Sequence, residues 1–277
     1  MTLYLPELAL DNFAFPSPFE ALCEPNGLLA FGGDLNPQRI LCAYQNGIFP
    51  WFGPDEPILW WSPAPRAVFD PSDYCPSKSL RKHQRKVGFK VTINQATNEV
   101  IKLCAELRPP EETWLSSDMQ QAYSELAKQG HCHSVEVWQD ERLVGGLYGL
   151  SIGRLFCGES MFSLVSNASK TALWYFCHHF ARKGGQLIDC QVMNPHLASL
   201  GAKELTRSDF IDQLLQHRSQ SLPLDCFVPQ ELFVSKELCV SKELIESQKL
   251  LVSAPLSVAQ ESSISHEPSR PEDSERL

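Results

Sequence analysis

Between Gly47 and Arg66 the chain reads GIFPWFGPDEPILWWSPAPR, which places five aromatics (Phe49, Trp51, Phe52, Trp60, Trp61) and five prolines (Pro50, Pro54, Pro57, Pro63, Pro65) in twenty positions. Each proline removes a backbone donor and steers its predecessor away from the helical region, so the spacing predicts neither a regular helix nor a central strand. A stiff, irregular segment is expected. Large rings on such a segment need covering, either by the protein's own core or by a ligand with a flat or apolar face.

At 277 residues and 43% hydrophobic, the chain is long enough to bury a full core. Its apolar runs fall well short of the roughly 20 residues of a membrane span, and MTLYLPELALDN has no basic region followed by an apolar stretch. No membrane association and a cytoplasmic address are expected. Ten cysteines are present, yet the closest pairs, Cys177 with Cys190 and Cys226 with Cys239, are 13 residues apart. That spacing disfavours a zinc knuckle and a disulfide framework, and most of these cysteines read as small buried apolar groups. The net charge of -9 argues against indiscriminate coating of nucleic acid. A local basic footprint remains, because RKHQRKVGFK carries Arg81, Lys82, Arg85, Lys86 and Lys90 with no acid.

Periodicity and capping residues organise the rest. Residues 1–66 read as irregular apart from a short helix at 37–45, opened by Asn36 and Pro37. Amphipathic helices are expected at 94–106 and 117–129, then antiparallel strands at 133–139, 142–150 and 154–161 joined by QDER and SIG. Asn167 reads as the cap of a helix reaching Arg182, followed by a buried strand at 186–193 and a last helix at 208–216. From Ser235 onward, 43 residues contain ten serines, no Phe, Tyr or Trp, and the near-repeat VSKEL. Such a segment, 235–277, is expected to be a low-complexity disordered tail. The predicted fold class is α+β, with a small N-terminal domain (1–66) and a larger domain (67–234) whose mainly antiparallel sheet is flanked by helices.

Several polar residues sit in apolar surroundings. In LIDCQVMN the strand period puts Asp189, Gln191 and Met193 on one face. A carboxylate and an amide there are either paired structural groups or part of a site, and Asn194 and His196 follow where loops collect functional groups. Glu159 lies within FCGESMFS, beside strands thinned by Gly145, Gly146, Gly149 and Gly158; such glycines mark a bulge, a close approach or a bend. His178 and His179 are adjacent on a helix and share no face, so they predict no metal pair. GGD at 32–34 lacks the pattern of a phosphate loop. The basic stretch reads as a solvated face or, with the aromatic segment upstream, as a holder of single-stranded nucleic-acid ends.

EPNGLLAFGGDL (24–35), AYQNGIFPWF (43–52), PILWWSPAPRAV (57–68), VGGLYGL (144–150), FCGESMFS (156–163), NASKTAL (167–173) and LIDCQVMNPHLASLGA (187–202) occur in one order. Together they closely resemble the bacterial leucyl/phenylalanyl-tRNA–protein transferase family over roughly residues 10–234, with no counterpart for the tail. The resemblance implies a GNAT-like acyltransferase domain behind a smaller N-terminal domain. The glycine-rich pyrophosphate loop of acyl-CoA enzymes is replaced here by SLVSNASK. It also implies a cytoplasmic, monomeric aminoacyltransferase that moves Leu, Phe or, less well, Met from aminoacyl-tRNA onto proteins beginning with Arg or Lys, creating an N-degron. The donor is an activated ester, so neither cofactor nor metal is expected.

By the same resemblance, Asp189, Gln191 and Asn194 fall on positions proposed to activate the attacking amine, Asp189 as base or as holder of the cationic N-terminus. Glu159 matches a further carboxylate, suited to an acceptor Arg or Lys. Phe156, Phe176 and Phe180 surround the donor side chain, and Leu147 stands where some members carry Met. Trp51 and Trp114 lie near the donor's adenosine with Tyr44 and Tyr123 as neighbours, and Lys82, Arg85 and Lys86 meet the acceptor stem. Two other classes fit the bare pattern: another GNAT-like acyltransferase using aminoacyl-tRNA or acyl-CoA, and a non-catalytic module that binds tRNA ends.

Overall fold

Short strands punctuate the proline-rich opening. The structure, a computed structural model, describes residues 5–107 and 114–234; the tail expected at 235–277 lies outside the described residues. Here β1 (Glu7–Leu8), β2 (Leu28–Gly32), α1 (Pro37–Gln45), β3 (Phe49–Pro50) and β4 (Leu59–Trp61) build a four-stranded sheet of order β1-β2-β4-β3 with α1 alongside. The described residues of 1–66 are thus mostly irregular, as the prolines suggest, with α1 where it is expected, but four short strands that the pattern did not reveal pair among them. The prolines still govern where pairing occurs: Pro50 is confined to edge strand β3, while interior strand β4 occupies a proline-free window of three residues. α1 begins as expected, with Pro37 in its first turn and the Asn36 Oδ1 accepting from Gln38 N at 2.9 Å.

The remaining elements are β5 (Arg66–Phe69), α2 (Lys78–Val87), β6 (Lys90–Ile93), α3 (Thr97–Glu106), α4 (Ser117–Lys128), β7 (Cys132–Gln139), β8 (Arg142–Ile152), β9 (Leu155–Ser163), α5 (Ala168–Arg182), β10 (Leu187–Asp189), α6 (Pro195–Ser199), β11 (Lys203–Leu205), α7 (Arg207–His217) and β12 (Gln230–Glu231). They place eight strands in the order β11-β5-β10-β9-β8-β7-β6-β12. All neighbours are antiparallel except β9 and β10, whose parallel pairing needs a crossover that α5 supplies. The β7–β8 turn closes through Asp140 and Glu141, both at positive φ, the conformation a two-residue hairpin loop demands. The fold is thus α+β with antiparallel-rich sheets.

Two apolar clusters sandwich the larger sheet. One joins Tyr148 and Leu150 of β8 to α3, α4, α1 and the N-terminal sheet through Val100, Tyr123, Tyr44 and Trp60. The other packs Leu147 and Phe156 against Ala172, Phe176 and Phe180 of α5. α5 can approach because residue 145 is glycine: a Cβ there would lie 2.4 Å from the Ala168 Cβ.

Helix starts depart from expectation where a distant residue takes over the capping. Asn167 is left-handed (φ 66°) and makes no side-chain cap; the Ser163 hydroxyl accepts from Ser169 N at 2.8 Å instead. α3 begins at Thr97, not at 94, because Asn94 (φ 55°) turns its side chain away to Ser134 N, Phe227 O and His133 Nδ1. Ala96 cannot cap that helix, and the buried Glu136 carboxylate of β7 accepts from Ala96 N at 3.3 Å.

His133 stacks on Phe227 at 3.7 Å and 3°, and burial pushes its pKa down to about 3, with the charge of His131 adding to the effect. Asn94 donates to its Nδ1, so the neutral ring is the form that fits. A histidine held neutral stabilises the fold above its unfolded pKa of about 6.5, and that stability is lost as pH falls towards 3. Between pH 6 and 4, the wild type should lose about 1.4 kcal/mol per pH unit more than a His133→Gln variant, as read by urea unfolding at each pH.

Candidate active site

A β-bulge creates the acidic corner of the site. β8 and β9 pair Tyr148 with Ser160 and Gly149 with Gly158, so Glu159 is an extra residue with no partner on β8. Gly149 allows the squeeze, since a Cβ there would lie 2.1 Å from Cys157 O. The bulge also reverses the alternation: Phe156 faces the α5 side before it, and Phe162 faces the opposite cluster after it. Glu159 meets Tyr123, whose hydroxyl donates to Oε2 at 2.8 Å, while the Tyr44 hydroxyl lies 3.0 Å from that of Tyr123. Both tyrosines are buried, and burial with the neighbouring carboxylate raises their pKa values, keeping them protonated as donors. Burial raises Glu159 to about 7, against the opposing hydrogen bonds of Tyr44 and Tyr123.

The second arm is shorter than the sequence pattern suggests. The strand expected at 186–193 pairs only over Leu187–Asp189, and Gln191 adopts a left-handed conformation (φ 58°). Period-two alternation therefore stops before Gln191. Its backbone N donates to Asp189 Oδ1 at 3.0 Å, its carbonyl accepts from Ala67 N at 3.1 Å, and its Nε2 donates to Glu159 Oε1 at 3.2 Å. Asn194 caps α6, accepting from Leu197 N at 2.9 Å.

Asp189 departs furthest from its expected surroundings. It is fully buried, and Arg66 grips it with Nε to Oδ1 and Nη2 to Oδ2, both at 2.7 Å. Arg66 is 1% exposed; its Nη1 donates to Gly47 O at 3.2 Å, and its guanidinium sits 4.9 and 4.5 Å from the rings of Phe49 and Phe210. Nothing in the sequence reading assigned Arg66 a role. The available signal was a cation within the apolar strand RAVF and an acid within the apolar strand LID, opposite charges in two otherwise uncharged strands.

A cavity of about 450 Å³ brings together Glu159, Gln191 and Asn194 with Leu147, Phe156 and Phe176, and adds Phe69, Leu173, His196, Ser163 and Ser169. Phe180 stands behind it, stacked on Phe176 at 5.2 Å and 17°. Asp189, Tyr44 and Tyr123 do not line it. Within the opening segment the rings divide: Trp60 is fully buried with its Nε1 donating to Gly32 O at 2.9 Å, whereas Trp51 is 48% exposed and packs on Trp61 at 5.6 Å. Trp114 is partly buried against the first cluster. Lys82, Arg85 and Lys86 are exposed on α2, which buries Leu80 and Gln84 instead. His179 Nε2 lies 2.7 Å from Cys226 O, and no group of three or more His, Cys, Asp or Glu able to hold a metal occurs among the described residues. No described helix is long and apolar enough to cross a membrane.

The arrangement is a cavity with many apolar and aromatic lining residues, roomy enough for a large side chain, whose lining also includes an acid and two amides. Residues 68–215 match the leucyl/phenylalanyl-tRNA protein transferase family, and residues 33–64 match the N-terminal domain of the same enzymes. The leucyl/phenylalanyl-tRNA–protein transferase of Vibrio campbellii is 66% identical over 230 residues, 83% of this chain and 97% of that one. The corresponding protein of Vibrio parahaemolyticus is 67% identical over the same shares. Among solved structures, L-PGS from Bacillus licheniformis aligns at a TM-score of 0.34 and 10% identity over 79% of this chain and 72% of that one, too remote to bear on fold or function. The fold and site, with these relatives, define an aminoacyltransferase dependent on tRNA. The chain belongs to the leucyl/phenylalanyl-tRNA–protein transferase family.

Leu147, Phe156 and Phe176 all line the cavity, the two rings in contact at 4.4 Å. Leu147→Ala should shift the ratio of kcat/KM for Phe-tRNA over Leu-tRNA towards Phe by about tenfold or more. The same change should cost about 2–5 kcal/mol of stability by urea unfolding.

Proposed function

We propose that the protein transfers Leu, Phe and, less efficiently, Met from aminoacyl-tRNA to the α-amino group of proteins that begin with Arg or Lys, creating an N-degron. The reaction is read as taking place in the cytoplasm, on a monomer, without cofactor or metal, on a GNAT-like domain behind a smaller N-terminal one. The observation that carries this reading is the meeting of the apolar chamber with the Glu159–Gln191 pair. The chamber walls of Leu147, Phe156 and Phe176, backed by Phe180, suit an unbranched-at-Cβ apolar side chain, while the acid in its lining suits a cationic acceptor.

In this reading the acceptor amine attacks the ester carbonyl, the C–N bond forms, and the C–O bond to the tRNA ribose breaks. The amine must lose a proton and the ribose oxygen must gain one. Glu159, held near neutrality, is suited to attract the cationic acceptor and to take that proton, while the amides of Gln191 and Asn194 orient the reacting groups. Tyr44 and Tyr123 serve the site by holding Glu159. Trp51 and Trp114 are assigned to the donor's adenosine, and Lys82, Arg85 and Lys86 to the acceptor stem. Exposed cations on α2 would contact phosphates and bind different tRNAs alike.

The decisive experiment offers purified protein labelled Leu-tRNA with peptides beginning with Arg, Lys or Ala. Labelling of the first two and not the third is expected; equal labelling of all three, or of none, would overturn the assignment. Replacing Lys82, Arg85 or Lys86 by Ala should raise KM for tRNA with little change in kcat, and should flatten the slope of log KM against log salt by about 0.7–0.9 per cation removed. The logarithm of kcat/KM should rise with pH through about 7 as Glu159 ionises, and again near about 8 as the α-amine of the acceptor loses its proton. In Glu159→Gln the lower limb should vanish and the upper one remain.

A further inference from the structure

Arg66 and Asp189 present an energetic puzzle. Removing two charges from water is costly, and a well-packed apolar pair of similar volume is often as stable. The pair is nevertheless fully paired, with bidentate contacts of 2.7 Å and a ring on either side of the guanidinium. Neither residue lines the cavity, so neither touches the reacting groups. What an apolar pair could not supply is an acceptor for Gln191 N, the contact that Asp189 Oδ1 makes at 3.0 Å.

That contact lies where the backbone is least comfortable. Gln191 is a non-glycine residue at φ 58°, a strained conformation that persists where the surroundings over-determine it. Two hydrogen bonds do so: its N to Asp189, and its carbonyl from Ala67 N on β5, the strand that Arg66 opens. Ala67 also accepts from Cys190 N at 2.8 Å, locking the intervening residue. From this turn the Gln191 side chain reaches Glu159 at 3.2 Å.

We propose that Arg66 is a positioning residue for the transfer reaction: through Asp189 it sets the left-handed turn that aims the Gln191 amide at Glu159 and the acceptor. Asp189 then serves as the fixed counter-ion and acceptor of this turn, not as the base. The inference rests on the aminoacyl-transfer reading of the site. Lysine cannot replace Arg66, because an ammonium offers neither the planar two-point contact nor the stacking between Phe49 and Phe210.

A double-mutant cycle tests this, using Arg66→Lys, Gln191→Ala and the double variant in the full chain, with Phe-tRNA and an Arg-initiated peptide. Arg66→Lys should lower kcat by about tenfold to a hundredfold, the loss expected for a misplaced reacting geometry, and leave both KM values within about twofold. In the Gln191→Ala background the same substitution should cost almost nothing further, since Arg66 acts through Gln191. Additive losses, or a kcat for Arg66→Lys within about twofold of wild type, would overturn the proposal. Thermal unfolding of each variant identifies those that fold; if Arg66→Lys does not, Asp189→Asn takes its place in the cycle with the same expectation. Wild-type protein that transfers neither Leu nor Phe would remove the underlying reading, whereas an active wild type with additive losses removes this inference alone.

Discussion

The ion pair of Arg66 and Asp189 is the point at which otherwise separate parts of the chain must agree. Arg66 starts β5, its Nη1 holds the carbonyl of Gly47 at the beginning of the aromatic segment, and Phe210 of α7 closes over its guanidinium. Asp189 ends β10, and its Oδ1 accepts from the first residue of the turn to reach Glu159. A buried charge left without its partner is costly enough that each of these elements is held to one position by the others. The N-terminal sheet and the cavity are coupled through this pair, even though no residue of that sheet lines the cavity.

The same neighbourhood treats two carboxylates in opposite ways. Asp189 is wholly enclosed and meets a guanidinium on both oxygens. Glu159 receives neutral donors only, two tyrosine hydroxyls in series and one amide, and burial lifts it to about 7. The two acids divide the labour between them: Asp189 is committed on both oxygens and holds structure, whereas Glu159 can change charge at neutral pH. The bulge makes this possible. Without the extra residue, the alternation of β9 would carry Phe162 to the α5 side, and the corner that receives Glu159 would not form.

What could be read from the sequence was largely what is decided locally. The cap and proline of α1, the place of α4, the β7–β8 hairpin and the extent of α5 each follow from a few adjacent residues, and each was legible. Strands of two to five residues in the N-terminal sheet carry too little pattern to be seen, because partners such as β2 and β4 supply the reason for their extension. The false start of α3 and the false cap of α5 have one cause: the true acceptors, Glu136 and Ser163, belong to other strands. Of the candidate site, Glu159, Gln191, Asn194, Leu147, Phe156 and Phe176 line one cavity, while Asp189, Tyr44, Tyr123 and Phe180 stand outside its lining, and the partners that hold these side chains were illegible. Arg66 meets Asp189 across 123 positions of chain, and no periodicity spans that distance.

The aromatic segment shows why composition alone left its role open. Its rings serve different ends because its prolines permit only a brief strand. Trp60, at the centre of that strand, points into the core and satisfies its indole on Gly32, with Phe15 at its edge. Trp61, one residue on, faces the other way, donates to Trp51 O and props up the exposed ring of Trp51. Packing and presentation are thus not competing explanations for this stretch. Alternation over three residues gives one tryptophan to each, and the buried one anchors the strand on which the other depends.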